Sequence, residues 1–355
     1  MYSEYKDALS FTYDELIEYL LAKGEKAYRA KQIYEWMHKK LAVSWDEMTN
    51  ISKLMREELA KDYSVFPLKI VDKLVSEIDG TAKYLMGTSD GGIIESVAMT
   101  YSYGMSVCIS SQIGCRMGCK FCASTLAGLE RSLTASEMLA QIYLIQKDMG
   151  RRVDNIVVMG IGEPFDNYNE LIKFLHMISD ERGLNISQRS ITVSTCGLVD
   201  KMYDFSNEHM AVTLAVSLHA PNDEIRKTIM PVANRYSIDE IIKACHYYVN
   251  TTGRRVTFEY SMINGVNDSG ECAEQLVSIL RGLLCHVNLI PLNDVEERSH
   301  TRTSEQGIHY FQKYLEKNRI NVTIRKGMGA DIDAACGQLR RKYIKQGKAL
   351  SDNLS

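Results

Sequence analysis

The chain has 355 residues, 45% hydrophobic and 25% charged, with 42 basic against 45 acidic side chains and a net charge of −3. Such values describe a globular protein with room for one large α/β domain and a smaller unit, and they exclude a disordered or collagen-like chain. A charge this near neutrality does not mark a nucleic-acid binder, nor does it exclude one, because a local basic face suffices. Nine cysteines form an odd, scattered set in a chain too long for a disulfide scaffold. No apolar run is long enough to cross a bilayer, and the opening MYSEYKDALS lacks a basic-then-apolar leader, so a cytoplasmic protein in reducing surroundings is expected.

From Phe11 to about Lys61 the apolar residues recur at three- and four-residue steps, as in Leu16, Ile17 and Leu20, then Ile33, Trp36, Met37 and Leu41, which predicts amphipathic helices. Lys31, Lys39 and Lys40 lie among them and suit either a solvated basic face or an RNA contact. Lys69 to Ile78 and Thr81 to Met86 alternate, with Asp79-Gly80 between them, which predicts a β-hairpin turning on that dipeptide. Ile93 to Val97 reads as another strand. From about Met105 strands and helices alternate. The predicted strands are Ser106 to Ser110, Asn155 to Met159, Ser190 to Ser194, Thr213 to Leu218, Val256 to Tyr260, His286 to Ile290 and the short Asn321 to Ile324. A capping box at Thr134-Ala-Ser-Glu137 opens a helix toward Lys147, and Ile238 to Tyr248 and Glu271 to Leu280 are further helices. This alternation implies right-handed βαβ units and a parallel sheet, and six units suit a partial barrel better than an eight-fold one. The expectation is an α/β partial (βα)6 barrel over 101–340. It is preceded by a helical accessory domain (1–62) and a hairpin connector (63–100), and followed by a tail (341–355).

The loop after the first barrel strand carries Cys115-Arg-Met-Gly-Cys119-Lys-Phe-Cys122, a C-x3-C-x2-C run. Bunched thiolates select zinc, copper(I) or an iron–sulfur cluster. Structural zinc wants four ligands, usually in two separated pairs, and no second C-x2-C follows. Three cysteines on a four-iron cluster leave one iron open, which suits chemistry. A zinc site recruiting Cys108 as fourth ligand is the competing reading.

Ligands of parallel α/β sheets sit at the carboxyl ends of the strands. There the sequence places Gly160-Ile-Gly162-Glu163-Pro164, Ser194-Thr195, Ser217-Leu218-His219 and, around the sixth strand, Asn288 and Asn293. Each alone is an ordinary turn or a satisfied polar residue; together they describe a polar pocket beside the cysteines. Cys196, Cys245, Cys272 and Cys285 read as small buried hydrophobes. Cys336 differs, standing in the polar stretch Asp331-Ile-Asp333-Ala-Ala-Cys336-Gly337 near the chain's end.

CISSQIGCRMGCKFC (from Cys108 to Cys122), GIGEP, SLHAPNDEIR, NLIPLN and DIDAACGQL, in this order, resemble the radical S-adenosylmethionine (SAM) adenine methyltransferases of RNA, the RlmN/Cfr family. The resemblance runs from the N-terminal helices to about Leu339. It implies a radical-SAM barrel with a [4Fe-4S] cluster on Cys115, Cys119 and Cys122, whose open iron holds SAM. It implies a relay in which Cys336 is S-methylated and then resolved by Cys108 through a transient disulfide, with Glu95 as proton acceptor. Read without the resemblance, Glu95 is an exposed strand residue. It further implies that Gly162, Glu163, Ser194, Ser217, Leu218, His219 and Asn293 contact SAM. Gly-Glu-Pro at 162–164, Cys122-Ala-Ser-Thr125 and His219 to Arg226 look like the RlmN branch, which methylates adenine C2, rather than the Cfr branch, which methylates C8 and confers antibiotic resistance. The implied partners are 23S rRNA near the peptidyl transferase centre, tRNA at the adenine after the anticodon, and a flavodoxin-type electron donor, for a monomeric enzyme. RNA contacts are expected from the N-terminal helices and from Arg151-Arg152, Arg254-Arg255, Arg325-Lys326 and Arg340-Arg341-Lys342. A non-catalytic zinc and RNA-binding protein using Cys108, Cys115, Cys119 and Cys122 is the alternative from another class.

Overall fold

Three short helices open the chain, α1 (Tyr13–Ala22), α2 (Tyr28–His38) and α3 (Lys53–Asp62). The structure, a computed structural model, describes residues 7–293, 298–332, 339–340 and 343. Thr12 and Glu15 close a capping box at the start of α1, satisfying amides that the first turn would otherwise leave orphaned. Ser52 caps α3 in the same region, and Leu16, Leu20, Ile33, Met37, Met55 and Leu59 point into one core shared with the rest of the molecule. Lys31, Lys39 and Lys40 stay on the exposed side, as their spacing predicts.

Strands β1 (Leu68–Val75) and β2 (Ala82–Thr88) pair antiparallel, but not across a two-residue turn. Val75 faces Ala82, and a six-residue connection, 76–81, bulges between them. The Asp79 carboxylate accepts from the Thr81 amide (3.0 Å) and from the Gly329 amide (2.9 Å), so the expected Asp-Gly turn is opened to hold a distant segment. β3 (Ile93–Tyr101) and β4 (Gly104–Cys108) add antiparallel, joined by the tight turn Ser102-Tyr103. A separate ribbon follows, β5 (Gln112–Gly114) with β6 (Leu129–Ser132), and it frames the cysteine loop.

The remaining chain alternates α4 (Ala135–Met149), β7 (Asn155–Val158), α5 (Tyr168–Ser179), β8 (Ile191–Thr195), α6 (Val199–Asn207) and β9 (Thr213–Ser217). It continues through α7 (Asp223–Ile229), α8 (Ile238–Thr252), β10 (Val256–Met262), α9 (Gly270–Leu280), β11 (Cys285–Pro291), α10 (Glu305–Lys317) and β12 (Asn321–Ile324). The main sheet has ten strands in the order β1-β2-β3-β4-β7-β8-β9-β10-β11-β12, antiparallel up to β4 and parallel from there on. This is the α/β partial barrel that the alternation predicts, extended by an antiparallel wing.

Pairing register sorts the side chains onto two faces, because residues opposite each other point the same way. Ala98, Val107, Ile156, Ile191 and, further round, Val193, Leu214, Val216, Phe258 and Val287 form an apolar outer face under the helices. The opposite, inner face carries Lys83, Val97, Cys108, Val157 and Thr192 across one level. Ser217, Glu259, Asn288 and Thr323 lie across another. The hydrophobic free energy therefore lies outside the barrel, and its lumen is left largely polar.

The N-terminal unit docks on the barrel through a buried acid. The Asp7 carboxylate accepts from the Ser10 and Ser136 hydroxyls, both at 3.1 Å, at the first turn of α4. Burial outweighs these bonds and raises its pKa from 3.8 to about 6. A carboxyl raised on folding binds more protons folded than unfolded between those values, so its contribution to stability falls as pH rises through that window. Asp7→Asn should accordingly raise the thermal unfolding midpoint at pH 7.5 and lose that advantage at pH 5. Equal shifts at both pH values would show that Asp7 is not titrating there.

Candidate active site

The cysteine loop hangs between β5 and β6. Cys115 N–H donates to Gly128 O (2.8 Å), and the Thr125 hydroxyl donates to Cys119 O and Cys122 O, each at 3.1 Å. Arg298 secures the same turn, donating to Cys122 O (3.1 Å) and to Thr125 Oγ1 (2.9 Å). Cys115 and Cys119 are buried and Cys122 is half-buried; all eight described cysteines are free thiols. Burial pushes the Cys115 thiol up to about 12 and the Cys119 thiol higher, and the neighbouring cysteines raise both further. Three soft ligands that destabilise one another's thiolates in a dry pocket suit a soft, positively charged iron–sulfur cluster. Among the described residues, no three His, Cys, Asp or Glu close round a single metal ion. Cys108 sits on β4 in a separate cluster with Val97 and Met99, so the structure gives no support to the zinc reading.

Gly160-Ile-Gly162-Glu163-Pro164 follows β7. Gly162 adopts φ +111°, and a Cβ there would lie 2.6 Å from Gln112 Cβ, so only glycine fits the turn. Glu163 is buried, and its carboxylate accepts from Phe165 N–H (3.0 Å) and Cys196 N–H (2.7 Å). Burial raises its pKa, and the two amides oppose that shift. The side chain of Glu163 is thus committed to joining the ends of β7 and β8. Gln112 holds the turn from the other side, accepting from Glu163 N–H (2.9 Å) while donating to Asp166 (3.1 Å).

Ser194 and Ser217 hydroxyls meet at 3.4 Å across β8 and β9. Leu218 is fully buried and contributes its backbone, donating N–H to Glu259 O (3.1 Å). His219 accepts from Ser261 N–H at Nδ1 (2.9 Å), so its proton resides on Nε2. Burial and the Arg226 charge lower its pKa to about 3, which keeps the ring neutral at physiological pH. Its ring meets that of Phe121, from within the cysteine run, edge-on with centroids 5.0 Å apart. Asn293 is exposed just beyond β11, next to Leu292, which packs in one cluster with Cys119. The structure therefore gathers the cysteine loop and the ends of β8, β9 and β11 at one mouth.

Glu95 and Cys108 line the inner wall of the wing. Val97 is paired with Cys108, so Glu95, two residues from Val97, shares the Cys108 face. Glu95 is not an exposed strand residue: it is 3% exposed and forms an ion pair at 3.2 Å with Lys83, which is 0% exposed. A single strand's alternation could not show that its polar face is covered. Cys336 lies outside the described residues, as do Arg341 and Lys342. Described residues before and after Cys336 in sequence are tied to the wing. Asp331 accepts from Ser76 Oγ (2.6 Å) and Glu77 N–H (2.9 Å). Arg340 donates its amide N–H to Glu95, and its guanidinium pairs with Glu130.

Two buried groups escaped the sequence reading. Arg226 donates to Cys196 O (2.6 Å), Leu218 O (3.1 Å) and Ser217 O (3.4 Å), clamping the ends of β8 and β9. Its signal was its place in SLHAPNDEIR, which otherwise reads as a charged helix surface. Glu259 accepts from Asn288 (2.8 Å) inside the lumen, with Arg325 at 3.7 Å. Of the basic clusters, Arg152 donates to Leu184 O (3.2 Å) and Arg254 to Thr213 Oγ1 (2.8 Å), bonds that serve the fold.

Residues 109–276 match the Radical SAM superfamily model, and residues 6–65 match the ribosomal RNA large subunit methyltransferase N-terminal domain. A probable dual-specificity RNA methyltransferase RlmN from Lachnospira eligens is 57% identical over 339 residues, covering 96% of this chain and 97% of that one. The chain belongs to the RlmN family of radical SAM RNA methyltransferases. A second such relative, from Clostridium novyi, is 52% identical over 96% of this chain and 99% of its own. The crystal structure of a radical SAM methyltransferase from Sphaerobacter thermophilus superposes with a TM-score of 0.91 at 46% identity, covering 94% of this chain and 99% of that one. RlmN-type relatives spanning nearly the whole chain decide against the Cfr alternative and against a non-catalytic zinc protein. The superfamily's cofactors are a [4Fe-4S] cluster and SAM, and the thiol set of the loop suits the former.

Removing one partner of a buried ion pair leaves an uncompensated charge and typically costs about 3–5 kcal/mol. Lys83→Met should therefore lower the unfolding free energy by roughly that amount, and adding Glu95→Gln should restore most of it. Additive losses in the double variant would exclude the pairing.

Proposed function

We propose that this RlmN-family enzyme methylates C2 of an adenine in 23S rRNA, and of the adenine after the anticodon in tRNA, through an S-methylated Cys336 and with two SAM consumed per turnover. The observation that carries the reading is the wall on which Glu95 and Cys108 share a face, with Arg340, four residues after Cys336, bonded to that wall, and Asp331, five residues before it, bonded to the 76–81 turn. C2 of adenine is an electron-poor ring carbon that does not attack a methyl sulfonium as a nucleophile. A carbon radical is therefore needed.

Cys115, Cys119 and Cys122 hold the cluster, and Gly162, Glu163, Ser194, Ser217, Leu218, His219 and Asn293 line the SAM position. When bound there, a reduced cluster and SAM would supply the carbon-centred radical needed to take hydrogen from a methyl group already carried on sulfur. Cys336 acquires that methyl earlier, its thiolate displacing S-adenosylhomocysteine from the first SAM. The methylene radical on Cys336 adds to C2, and the adduct then loses its ring proton to Glu95 and one electron, for which the cluster, left oxidised once SAM has been cleaved, would be the acceptor. The Cys108 thiolate then attacks the Cys336 sulfur. An S–S bond forms, the C–S bond breaks, and the released carbon takes a proton to become the methyl group. The resulting disulfide is of the labile, exchanging kind and needs a dithiol reductant before the next turnover.

The reading extends to a flavodoxin-type electron donor, a cytoplasmic monomer, and an accessory RNA-contacting unit over 1–62, joined through 63–100 to a core over 101–340 and a tail over 341–355. Among the described residues no helix is long and apolar enough to cross a membrane. Exposed Lys31, Lys39 and Lys40 on the accessory unit, with Lys40 over the Trp36 ring at 3.7 Å, support RNA contact there.

Reconstituted protein, incubated anaerobically with SAM, reductant and unmodified 23S rRNA, should yield 2-methyladenosine by nucleoside mass spectrometry. Formation of 8-methyladenosine would overturn the C2 assignment. Cys336→Ala should give no methylated nucleoside, and Cys108→Ala should retain RNA covalently on the protein. Wild-type turnover by Cys336→Ala would sink the relay.

A further inference from the structure

The tight turn between β3 and β4 displays two aromatic rings at its tip. Tyr101 and Tyr103 stack with centroids 5.0 Å apart and planes within 5° of parallel. Tyr103 is 69% exposed, second only to Ile78 among the large apolar and aromatic side chains of the described residues of the barrel and its wing. Tyr101 is half-buried and packs inward on the cluster formed by Val97, Met99 and Cys108, with Met159 and Met328 beside it. One face of the pair thus continues into the lumen wall that holds Cys108, and the other lies open to solvent.

The turn that carries the pair is anchored where it enters β4. Asp154 accepts from Met105 N–H (2.8 Å), and its own amide donates to Met105 O (2.9 Å), which fixes the start of β4 against β7. Gly104 takes φ +136°, and a Cβ there would lie 2.5 Å from the Asp154 carboxylate, so the close approach requires glycine. An exposed, pre-ordered π-surface loses little conformational entropy when something stacks on it. Arg325, whose charge acts on the Tyr101 hydroxyl, adds a cation on the lumen side.

Single-stranded RNA is held by this kind of surface, because every base has a π-face and unstacked bases seek one. Tyr101 lies four residues along β3 from Val97, the partner of Cys108, which is about 13 Å at the usual rise of a strand. A few nucleotides of extended strand span that distance. We propose that Tyr103, backed by Tyr101, is a base-stacking residue that holds a nucleobase flanking the target adenine at the amino end of β4, the end of the lumen away from the cysteine loop, while the target base itself passes inward toward Cys108. The inference deepens the RNA-methylation reading and takes its substrate from it.

The test is binding and turnover with unmodified 23S rRNA, together with an RNA oligonucleotide carrying 2-aminopurine beside the target adenine. Tyr103→Ala should weaken RNA binding roughly tenfold, in the range of a lost base–aromatic stack. It should also raise KM without lowering kcat at saturation and abolish the quenching of 2-aminopurine on binding. Tyr103→Phe and Tyr103→Trp should restore all three, and Tyr103→Leu should not. SAM affinity and the unfolding midpoint should stay at wild-type values in every variant. Wild-type RNA affinity in Tyr103→Ala, or equal rescue by Leu and Phe, would overturn the stacking role. Binding and quenching are read without turnover, so a wild-type protein that binds RNA but forms no 2-methyladenosine would count against the reaction and leave the stacking result standing.

Discussion

A carboxylate with no solvent around it fastens the mouth of the barrel. Burying Glu163 is unfavourable unless its lone pairs are met, and they are met by Phe165 and Cys196 N–H, two amides that leave the ends of β7 and β8. Arg226 continues the chain of ties with the opposite polarity, giving its donors to Cys196 O, Ser217 O and Leu218 O. His219 and Asn267 carry it to β10. Ser261 N–H donates to His219 Nδ1, and the Asn267 amide donates to His219 O and Ser261 O, both at 2.7 Å. Four strand ends are therefore locked by side chains that bond chiefly to backbone groups. The residues assigned to SAM stand on this frame, and their positions are set before any ligand arrives.

The same division explains what the sequence could disclose. The cysteine run was legible because spacing along the chain is spacing in space within one short loop. The strand-end motifs were legible because the βα rule turns position in an element into position at a mouth. Alternation also gave the parallel strands close to where they lie. What escaped depends on register between distant segments. The Asp79-Gly80 dipeptide reads as a two-residue turn until Gly329 and Asp331 reach it from the far end of the chain. Arg226 follows Asp223 and Glu224 in a helix start that reads as solvated, yet it is 0% exposed. Glu95 reads as a surface residue because a hairpin alone would leave one face wet. Here that face is roofed by the chain's end, where Leu85, Ile93 and Tyr343 pack together.

Where the stability lies also decides where chemistry can lie. Fully burying one large apolar side chain contributes about 1.5–3 kcal/mol, and the outer face, from Tyr84 through Val107, Val193 and Leu214 to Phe258 and Val287, carries many of them. The lumen contributes little of that kind. Its polar residues, such as Glu259, Asn288 and Thr323, mostly satisfy one another. A barrel held together from outside can keep thiols, carboxylates and hydroxyls in its interior, at the carboxyl ends of strands that the helix layer has already fixed.

Glu95 is where these constraints meet. One of its oxygens pairs with Lys83 and the other accepts the Arg340 amide, so the carboxylate that shares a strand face with Cys108 also anchors Arg340, four residues after Cys336 in sequence. An ionised acceptor makes both bonds stronger than a neutral one would. A proton placed on that carboxylate therefore weakens the anchor, and loss of the anchor frees an oxygen to accept a proton; linkage makes the two effects equal in free energy. In the proposed reaction the proton arrives from adenine C2 while Cys336 is still joined to the base. The anchor would then loosen at the stage when the Cys336 sulfur must turn toward Cys108. In that proposed reaction, proton transfer and resolution of the adduct would be coupled through one carboxylate, with no need for a separate moving part.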